Sequence, residues 1–437
     1  MDKFWKPGRV LAGCLALAAC GGAFAPEAGA ADWPELVIPR TCGVQLKRNN
    51  YDAANLDQIK AAGFGMVRRS FYWEAVEKEK GAFDFTECDA FVKNCRERGL
   101  AILFTLYGGN KLYGDGKVTS PEGRAGFANY AAALAKHYKD ENMVFEIWNE
   151  PNVRTFWGWQ RQPGAKGAHN SEPFADEYLA LVRETVAAMK KANPACKVMG
   201  GATSNIWSAS YRWMGFCFGK GALKTGIDAW SVHPYSLKCP EDYIAAYAQI
   251  RKMTAEAGAP GMTIINSERG YPVKKDKEGF AGGKLSETDE YQAWHIVRQY
   301  LIDLSCEVPI TIWYEWSGNE GFGIAPGKDG KDTKALRAAR VMLAELSGYR
   351  LEKRLPTTND RDFALLFVNG EKAHKIVAWT APAPEQSPDK AVAHAITIPV
   401  DAKGEATAVS LYGENSTLPV QDGKVTITVS GAPQYVY

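Results

Sequence analysis

Residues 144–151 read Val-Phe-Glu-Ile-Trp-Asn-Glu-Pro, an apolar run that ends in a polar tetrapeptide. The apolar run is typical of a buried strand, and Glu150 follows where such a strand would end. The pattern places a carboxyl group beside the side-chain amide of Asn149 at the edge of a sheet. Carboxyl groups in this position commonly act in pairs, so the pattern predicts a second carboxylate at the end of a later strand.

The composition is that of an ordinary globular chain. Its 437 residues are 46% hydrophobic and 23% charged, which is enough for one large domain and one small domain. A net charge of +2 provides no basic field, so we expect no nucleic-acid partner. Most of the 13 tryptophans belong in the core of such a chain, but sugar rings stack on aromatic faces, which favours carbohydrate contact weakly.

Residues 1–31 resemble an export signal. Basic residues precede the apolar run 10–19, which is too short to span a bilayer comfortably as a helix. Two processing sites stay open, since residues 17–20 resemble a lipobox that would lipidate Cys20, and residues 28–30 resemble a signal-peptidase site. Both predict a mature protein outside the cytoplasm, either periplasmic, anchored to the outer membrane or extracellular. Membrane contact would occur only through a lipid on Cys20.

Seven cysteines follow the export segment, namely Cys42, Cys88, Cys95, Cys196, Cys217, Cys239 and Cys306. Cys88 and Cys95 share a face of one predicted helix but lie about two turns apart, which is too far for a disulfide. The chain contains no Cys-x-x-Cys motif and no Cys/His spacing typical of zinc. We therefore expect buried thiols with one or two disulfides at most, and neither a metal nor an organic cofactor.

Strand-like and helical patterns alternate between residues 36 and 347. Strands are predicted at 42–47, 65–71, 101–107, 143–149, 197–203, 227–233, 261–267 and 309–316. Between them, Gly99 marks the end of a helix at 86–98, and Ser120 followed by proline marks the start of the next. Eight such units predict a (β/α)8 barrel over residues 32–348. A doubly wound open sheet would also alternate, but it would not bring strands four and seven together over one pocket.

The pattern changes after Tyr349. Runs with a period of two predict strands at 363–369, 375–380, 395–400, 406–412 and 424–430. Turn pairs such as Asn369-Gly370 separate them, and no helical pattern follows. Residues 349–437 are therefore predicted to form a small antiparallel β-sandwich.

Strand ends carry the chemistry of barrel enzymes, and two of them end in glutamate. Glu150 ends strand four and Glu268 ends strand seven. Retaining glycoside hydrolysis requires a general acid/base and a nucleophile about 5–5.5 Å apart. We therefore predict that Glu150 is the acid/base and Glu268 the nucleophile. The alternatives for the nucleophile, Glu315 and Glu320, lie near strand eight and would break this pairing.

The other strand ends supply the predicted substrate-binding residues, which are Arg68, Trp73, Tyr107, Asn149, His233, Tyr235 and Trp316. Asn149 would bond the sugar 2-hydroxyl, His233 and Tyr235 would orient the nucleophile, and Trp316 would form the floor under the sugar. Arg68 would keep the nucleophile ionised. Because strand residues alternate faces, only one of Arg68 and Arg69 points into the barrel. An inward arginine would also be the partner that a buried Glu146 requires.

Together these strand ends resemble the retaining glycoside hydrolases of the 4/7 superfamily, clan A. Residues 67–77 (Val-Arg-Arg-Ser-Phe-Tyr-Trp-Glu-Ala-Val-Glu), 107–113 and 146–152 resemble family 39, and within it the bacterial endoglycosidases that trim biofilm exopolysaccharide. Families 5 and 10 are the alternatives. The resemblance implies retaining hydrolysis of a β-linked polysaccharide, and we expect a monomer that needs no cofactor. Ser70 departs from the pattern, because close relatives carry an acidic residue there, so the subsites stay open.

Two other interpretations stay open. Within the enzymes, the chain could be an exo-acting β-xylosidase or a glycanase of the cellulase or mannanase type. An open groove past Trp157 and Trp159 would favour endo action, and a closed pocket would favour exo action. Outside the enzymes, it could be a non-catalytic carbohydrate-binding matrix protein, although the presence of both carboxylates argues against this. The C-terminal domain lacks clustered aromatics that would bind sugar, so we expect it to brace the barrel.

Overall fold

The computed structural model describes residues 33–47, 51–139, 141–160, 169–235, 238–273, 289–318, 321–370 and 373–437. Residues Trp33–Tyr437 form one compact unit. The predicted export segment with Cys20 lies outside the described residues, as does Glu320. Within the described part of the chain, no helix combines the length and the apolar character needed to cross a bilayer.

Eight parallel strands close into a barrel, as predicted. They are β1 (Cys42–Gln45), β2 (Met66–Tyr72), β3 (Ala101–Tyr107), β4 (Met143–Ile147), β5 (Lys197–Ser204), β6 (Ala229–His233), β7 (Thr263–Arg269) and β8 (Thr311–Trp313). Each strand pairs with its neighbours in the chain, and β8 pairs with β1 to close the barrel. The carboxyl ends of all eight strands therefore lie at the same end of the barrel, which is called its mouth below.

A helix follows each barrel strand. These are α1 (Ala53–Ala61), α2 (Thr86–Glu97), α3 (Pro121–His137), α4 (Glu172–Ala192), α5 (Ser208–Gly219), α6 (Tyr243–Glu256), α7 (Asp289–Ser305) and α8 (Lys334–Glu345). The predicted start of α3 is confirmed, because the Ser120 side chain accepts a hydrogen bond from the backbone N–H of Gly123. The predicted end of α2 is confirmed by Gly99, whose φ of 61° lies in the left-handed region.

The inward face of the strands changes from apolar to polar towards the mouth. Val144, Leu103 and Ile265 belong to an apolar cluster within the barrel. Two residues further along β3 and β4, Thr105 and Glu146 occupy the same inward face and are fully buried. The polar layer therefore lies directly beneath the strand ends, where it can hold the side chains of a site.

Antiparallel sheets follow α8, and the predicted β-sandwich is confirmed. The strands are β9 (Arg350–Arg354), β10 (Asp362–Asn369), β11 (Ala373–Thr380), β12 (His394–Pro399), β13 (Glu405–Val409), β14 (Asn415–Pro419), β15 (Lys424–Val429) and β16 (Gln434–Val436). One sheet has the order β9-β10-β11-β16-β13-β14, and β12 pairs with β15 in a second sheet. Sequence analysis missed β9, β14 and β16, since the first two are largely exposed and the third has three residues.

The expected disulfides do not occur among the described residues. All seven cysteines found there are free thiols, and all except Cys306 are buried. Burial raises the pKa of Cys42 to about 12, so this thiol stays protonated at neutral pH. The buried cysteines therefore act as small core residues, so the predicted burial of the thiols is confirmed.

Candidate active site

Arg68 on β2 connects the polar layer of the barrel to the site. Its Nε and Nη2 atoms donate hydrogen bonds to Glu146 Oε2 at 2.9 and 2.6 Å. Nη1 donates to Glu268 Oε2 at 2.7 Å, and Nη2 also donates to Asn149 Oδ1 at 2.8 Å. Arg68 was predicted both as the partner of Glu146 and as a site residue. One guanidinium makes both sets of contacts. Arg69 lies on the opposite face, where it contacts Glu87.

Glu146 is the fixed negative charge below the site. Its Oε1 accepts a hydrogen bond from Ser231 Oγ at 2.7 Å, and Oε2 accepts one from Thr105 Oγ1 at 3.2 Å in addition to those from Arg68. Burial works to raise the pKa of Glu146, but the charge of Arg68, together with His233 and the hydrogen bonds from serine hydroxyls, holds the pKa below its usual value. Glu146 therefore stays ionised and keeps Arg68 in one orientation.

Glu268 at the end of β7 accepts a hydrogen bond on each carboxylate oxygen. Arg68 bonds Oε2, and the Tyr235 hydroxyl donates to Oε1 at 2.9 Å. The side chain keeps 13% of its surface exposed, so it remains accessible from the mouth. Burial raises the pKa of Tyr235 well above its ordinary value, so its phenol remains a proton donor. These contacts fix the orientation of both carboxylate oxygens, as a nucleophile requires.

Glu150 lies in a different environment. Its Oε1 atom is 2.9 Å from His233 Nδ1, and His233 Nε2 is 3.1 Å from Ser267 Oγ. The prediction that His233 orients the nucleophile is therefore wrong in its partner, since the ring bonds the other glutamate. Trp148 and Glu150 have φ angles of 72° and 47°, a left-handed conformation that costs on the order of 1–3 kcal/mol per residue. This local strain turns the Glu150 side chain towards β6.

The two glutamates approach each other closely. One oxygen of Glu150, one oxygen of Glu268 and one ring nitrogen of His233 all lie within 4.8 Å of one another. This separation fits the carboxylate spacing of about 5–5.5 Å in retaining glycosidases and not the spacing of about 6.5–9.5 Å in inverting ones. The same three atoms are close enough to share a metal ion, but the guanidinium of Arg68 against Glu268 opposes a cation there.

A groove of about 1120 Å³ runs over the site. Five predicted site residues line this one cavity, namely Arg68, Tyr107, Asn149, Glu268 and Trp316. Glu150 is not part of that lining, and its side chain is 10% exposed beside Glu268. The indole N–H of Trp316 donates to Asn55 Oδ1 at 2.8 Å, which fixes the ring in the groove wall. The role of Trp316 as the floor under a sugar stays a prediction.

Trp73 does not reach the groove, so its prediction as a substrate contact needs correction. The side chain is fully buried, packs against Tyr113 and Tyr130, and donates its indole N–H to Glu77. It is a core residue behind β2, because the chain turns into a short helix at Trp73–Val76 directly after the strand.

Of the two tryptophans expected to flank the groove, one is exposed. Trp157 is fully buried and bonds Glu177, whereas Trp159 is 46% exposed. The Trp159 ring lies 5.8 Å from that of Trp148 and 6.4 Å from that of Tyr107, which lines the groove. Trp159 therefore presents an exposed ring next to a residue that lines the groove, whereas Trp157 does not.

Gln45 and Lys47 also line the groove, and sequence analysis missed both. Gln45 Oε1 accepts a hydrogen bond from Arg68 Nη1 at 2.9 Å. Lys47 Nζ lies 2.8 Å from Glu315 Oε2, so this alternative nucleophile is fully buried in an ion pair. Both residues lie at the end of predicted strand one, and this position was the signal that could have identified them. They were missed because this strand end has no carboxylate or aromatic residue.

The chain resembles known glycoside hydrolases in sequence. The model of the cellulase family, glycosyl hydrolase family 5, matches residues 40–318. A β-xylosidase from Geobacillus stearothermophilus is 28% identical over 139 residues, which cover 30% of this chain and 24% of that protein. The chain thus matches about a quarter of the length of this relative.

Solved structures share the fold. A family 39 glycoside hydrolase from the gut symbiont Bacteroides cellulosilyticus WH2 aligns with a TM-score of 0.72 at 21% identity, covering 91% of this chain and 80% of that one. A monomeric β-xylosidase from Caulobacter crescentus aligns with a TM-score of 0.64 at 15% identity, covering 93% and 97%. A family 30 endoxylanase from Clostridium papyrosolvens aligns with a TM-score of 0.59 at 13% identity, covering 92% and 97%.

Proposed function

The chain belongs to the cellulase family of glycosyl hydrolases, family 5, and we propose that it is an exported, retaining endo-β-glycosidase that cleaves a bacterial exopolysaccharide. One observation carries the reaction class. Carboxylate oxygens of Glu150 and Glu268 lie within 4.8 Å at the ends of β4 and β7. Their different neighbours support different roles, since Glu268 faces the charge of Arg68 and Glu150 faces the imidazole of His233.

In the first step Glu268 attacks the anomeric carbon while Glu150 gives its proton to the glycosidic oxygen. The bond between carbon and leaving group breaks, the aglycone departs as an alcohol, and the sugar becomes esterified to Glu268. Arg68 and Tyr235 hold the attacking carboxylate in place. Asn149 is fixed by Arg68 through its carbonyl oxygen, which leaves its amide N–H groups to donate to the sugar 2-hydroxyl.

In the second step Glu150, now a carboxylate, removes a proton from water. The resulting nucleophile displaces Glu268 from the anomeric carbon, and the sugar is released with its original configuration. His233 remains hydrogen-bonded to Glu150 and holds its carboxyl group in position for both steps.

The groove and the amino terminus support the finer parts of the proposal. A cavity of about 1120 Å³ exceeds the usual 300–1,000 Å³ of ligand pockets, which favours a polymer that occupies several subsites. The export pattern in residues 1–31 supports action on a polysaccharide outside the cytoplasm. A lipid on Cys20 would keep the enzyme at a membrane surface.

A second candidate is an exo-acting β-xylosidase. It is favoured by the sequence match to the β-xylosidase from Geobacillus stearothermophilus. The two candidates share the chemistry of Glu150 and Glu268 and differ in the length of substrate that the groove holds.

Replacement of the nucleophile tests the reaction class. We expect Glu268→Gln to reduce turnover in a panel of aryl β-xylosides, β-glucosides, β-mannosides and β-galactosides by on the order of 10⁴-fold or more, because no covalent intermediate forms. Glu315→Gln is the matched control and should retain activity. Full activity of Glu268→Gln would overturn the assignment of Glu268 as the nucleophile, whereas a wild-type protein without turnover on any substrate would favour the carbohydrate-binding alternative. NMR of the first product anomer should show retention.

A substrate screen tests the specificity. Purified enzyme would be incubated with β-mannan, β-glucan, xylan and biofilm exopolysaccharides, and product sizes measured. Oligosaccharides from an exopolysaccharide at early time points support the proposal. Release of single xylose units from xylan would instead identify the exo-acting candidate.

A further inference from the structure

The barrel and the C-terminal sheets meet at a buried ion pair. Glu241, in the segment between β6 and α6, accepts hydrogen bonds on both carboxylate oxygens from Arg298 of α7. Trp379 of β11 donates its indole N–H to Glu241 Oε1 at 2.7 Å, and Arg298 Nη1 donates to the carbonyl of Gly431 at 3.3 Å. All three side chains are at most 3% exposed. The indole N–H of Trp379 and the carbonyl oxygen of Gly431 complete the hydrogen bonds of this ion pair, and both belong to the C-terminal domain.

Glu241 lies in a segment that the C-terminal sheets hold at two successive residues. Asp242 accepts a hydrogen bond from Arg361 Nη2 at 3.2 Å and one from the backbone N–H of Glu385 at 3.3 Å. Tyr243 follows as the first residue of α6. The position of Tyr243 is thus set from the side of the C-terminal sheets as well as from the barrel.

Tyr243 in turn contacts the residue that follows the nucleophile. Its hydroxyl oxygen accepts a hydrogen bond from Arg269 Nε at 3.0 Å and lies 3.3 Å from His295 Nε2. The guanidinium of Arg269 lies 5.1 Å from the centre of the Tyr235 ring. Because Tyr235 donates to Glu268, side-chain contacts and the short backbone segment from Glu241 to Tyr243 together connect β11 to the nucleophile.

We propose that Trp379 is a positioning residue for the nucleophile, acting through Glu241, Tyr243 and Arg269 on Tyr235. The inference rests on the proposed function and extends it to a role for the C-terminal sheets beyond bracing. Loss of the indole donor leaves a buried carboxylate with one hydrogen bond fewer, so the segment 240–243 must adjust. Small displacements of a reacting group cost large factors in rate, because covalent attack requires close alignment.

Two tryptophans at the same junction give a matched pair of variants. Trp379→Phe removes the indole N–H but keeps the stacked contact with Phe363. Trp294→Phe is the control, since Trp294 packs against Gly431 and bonds Glu290, with no bond to Glu241. We expect Trp379→Phe to lower kcat by on the order of tenfold with KM unchanged, and Trp294→Phe to match the wild type.

The leaving group separates positioning of the nucleophile from damage to the acid. Departure of 2,4-dinitrophenolate needs no proton, so a defect in Glu150 as the acid would spare kcat/KM for 2,4-dinitrophenyl glycosides, which reports the first step, and would lower kcat/KM for 4-nitrophenyl glycosides more. We expect Trp379→Phe to slow both equally. Equal kcat in Trp379→Phe and the wild type would overturn the proposal, as would a loss confined to the poorer leaving group.

A second variant and a crystal structure cover failures of folding or of turnover. Tyr243→Phe removes the hydroxyl within the contact path at constant shape, and it should show the same kinetic signature. A crystal structure of either variant should show the bond between Tyr235 and Glu268, 2.9 Å in this structure, lengthened or broken. An unchanged bond overturns the positioning role even if the wild-type enzyme hydrolyses no glycoside, an outcome that would separately overturn the proposed function.

Discussion

Two buried arginine–glutamate pairs occupy two regions of this molecule. Arg68 and Glu146 lie inside the barrel below its mouth, and Arg298 and Glu241 lie where the barrel meets the C-terminal sheets. In both, burial works to raise the pKa of the glutamate, but the charge of the arginine holds the pKa below its ordinary value. The electrostatics of the two pairs are therefore alike.

They differ in what the arginine does with its remaining donors. Arg68 donates to Glu268 and Asn149, both of which line the groove. Arg298 donates to the carbonyl of Gly431 in the C-terminal sheets. The same ion pair thus fixes reacting groups in one region and joins two layers of structure in the other. The other groups to which the arginine donates indicate what a buried ion pair does, because the pair alone is weak evidence of a role in stability or in catalysis.

Arg68→Met should have the largest effect, because it removes both functions of the barrel pair. It leaves the Glu146 charge buried without compensation, which costs about 3–5 kcal/mol of the free energy of unfolding. It also frees Glu268 and Asn149, so we expect kcat/KM to fall by on the order of 10²-fold or more. Urea unfolding and steady-state kinetics measure the two losses.

Arg69→Met is the comparison for that variant, since Arg69 is also buried and lines the groove, but its side chain contacts Tyr51 and Glu87 and neither of the two catalytic glutamates. It should lose stability while kcat/KM stays near that of the wild type. An equal loss of activity in both variants would mean that Arg68 acts only through the stability of the barrel.

Arg298→Met should separate stability from catalysis at the second pair. Glu241 becomes an uncompensated buried charge, so we expect a loss of about 3–5 kcal/mol in the free energy of unfolding, as for Arg68→Met. The effect on kcat should stay near tenfold, because Arg298 reaches the nucleophile only through intervening side chains. Steady-state kinetics under conditions well below the unfolding transition measure this change in kcat. A kcat as low as that of Arg68→Met would contradict the distinction between the two regions.

The barrel pair was predictable from sequence, whereas the second pair was not. Glu146 lies within predicted strand four on the face that alternation turns inward, and a buried carboxylate there requires an arginine nearby. Glu241, Arg298 and Trp379 come from a short 3-10 helix, an α-helix and a distant strand, and no spacing links them. Their meeting depends on how the C-terminal sheets pack against the barrel, which local patterns do not encode.

The partner of His233 shows a second limit. Sequence places His233, Glu150 and Glu268 at three strand ends, but it does not give the direction of each side chain. The left-handed backbone at Trp148 and Glu150 turns Glu150 towards β6, where His233 ends the strand. Such a conformation is rare for residues other than glycine, so a prediction from strand period alone assigns the histidine to the wrong glutamate.

Asp303 provides a third buried carboxylate, this time without an arginine. It accepts hydrogen bonds from Asn266, Thr311 and Tyr247, all of them neutral. Burial raises the pKa of Asp303 to about 7, in contrast to the two glutamates, whose pKa values are lowered. The arginine distinguishes the two cases, because its charge is the largest of the influences that lower the pKa of Glu146 and of Glu241.

The raised pKa of Asp303 gives the smallest expected effect and one of opposite sign. Between about pH 4, where aspartate titrates in the unfolded chain, and pH 7, the unfolded state has lost a proton that the folded state keeps. Asp303 therefore lowers stability as pH rises through this window, whereas Glu146 and Glu241, whose pKa values lie below 4.5, raise stability with pH only in the acidic range below that value. Asp303→Asn cannot ionise, so it should gain about 1–2 kcal/mol relative to the wild type between pH 5 and pH 8. Urea unfolding at the two pH values measures the change, and a constant difference between variant and wild type would show that Asp303 is already ionised at pH 5.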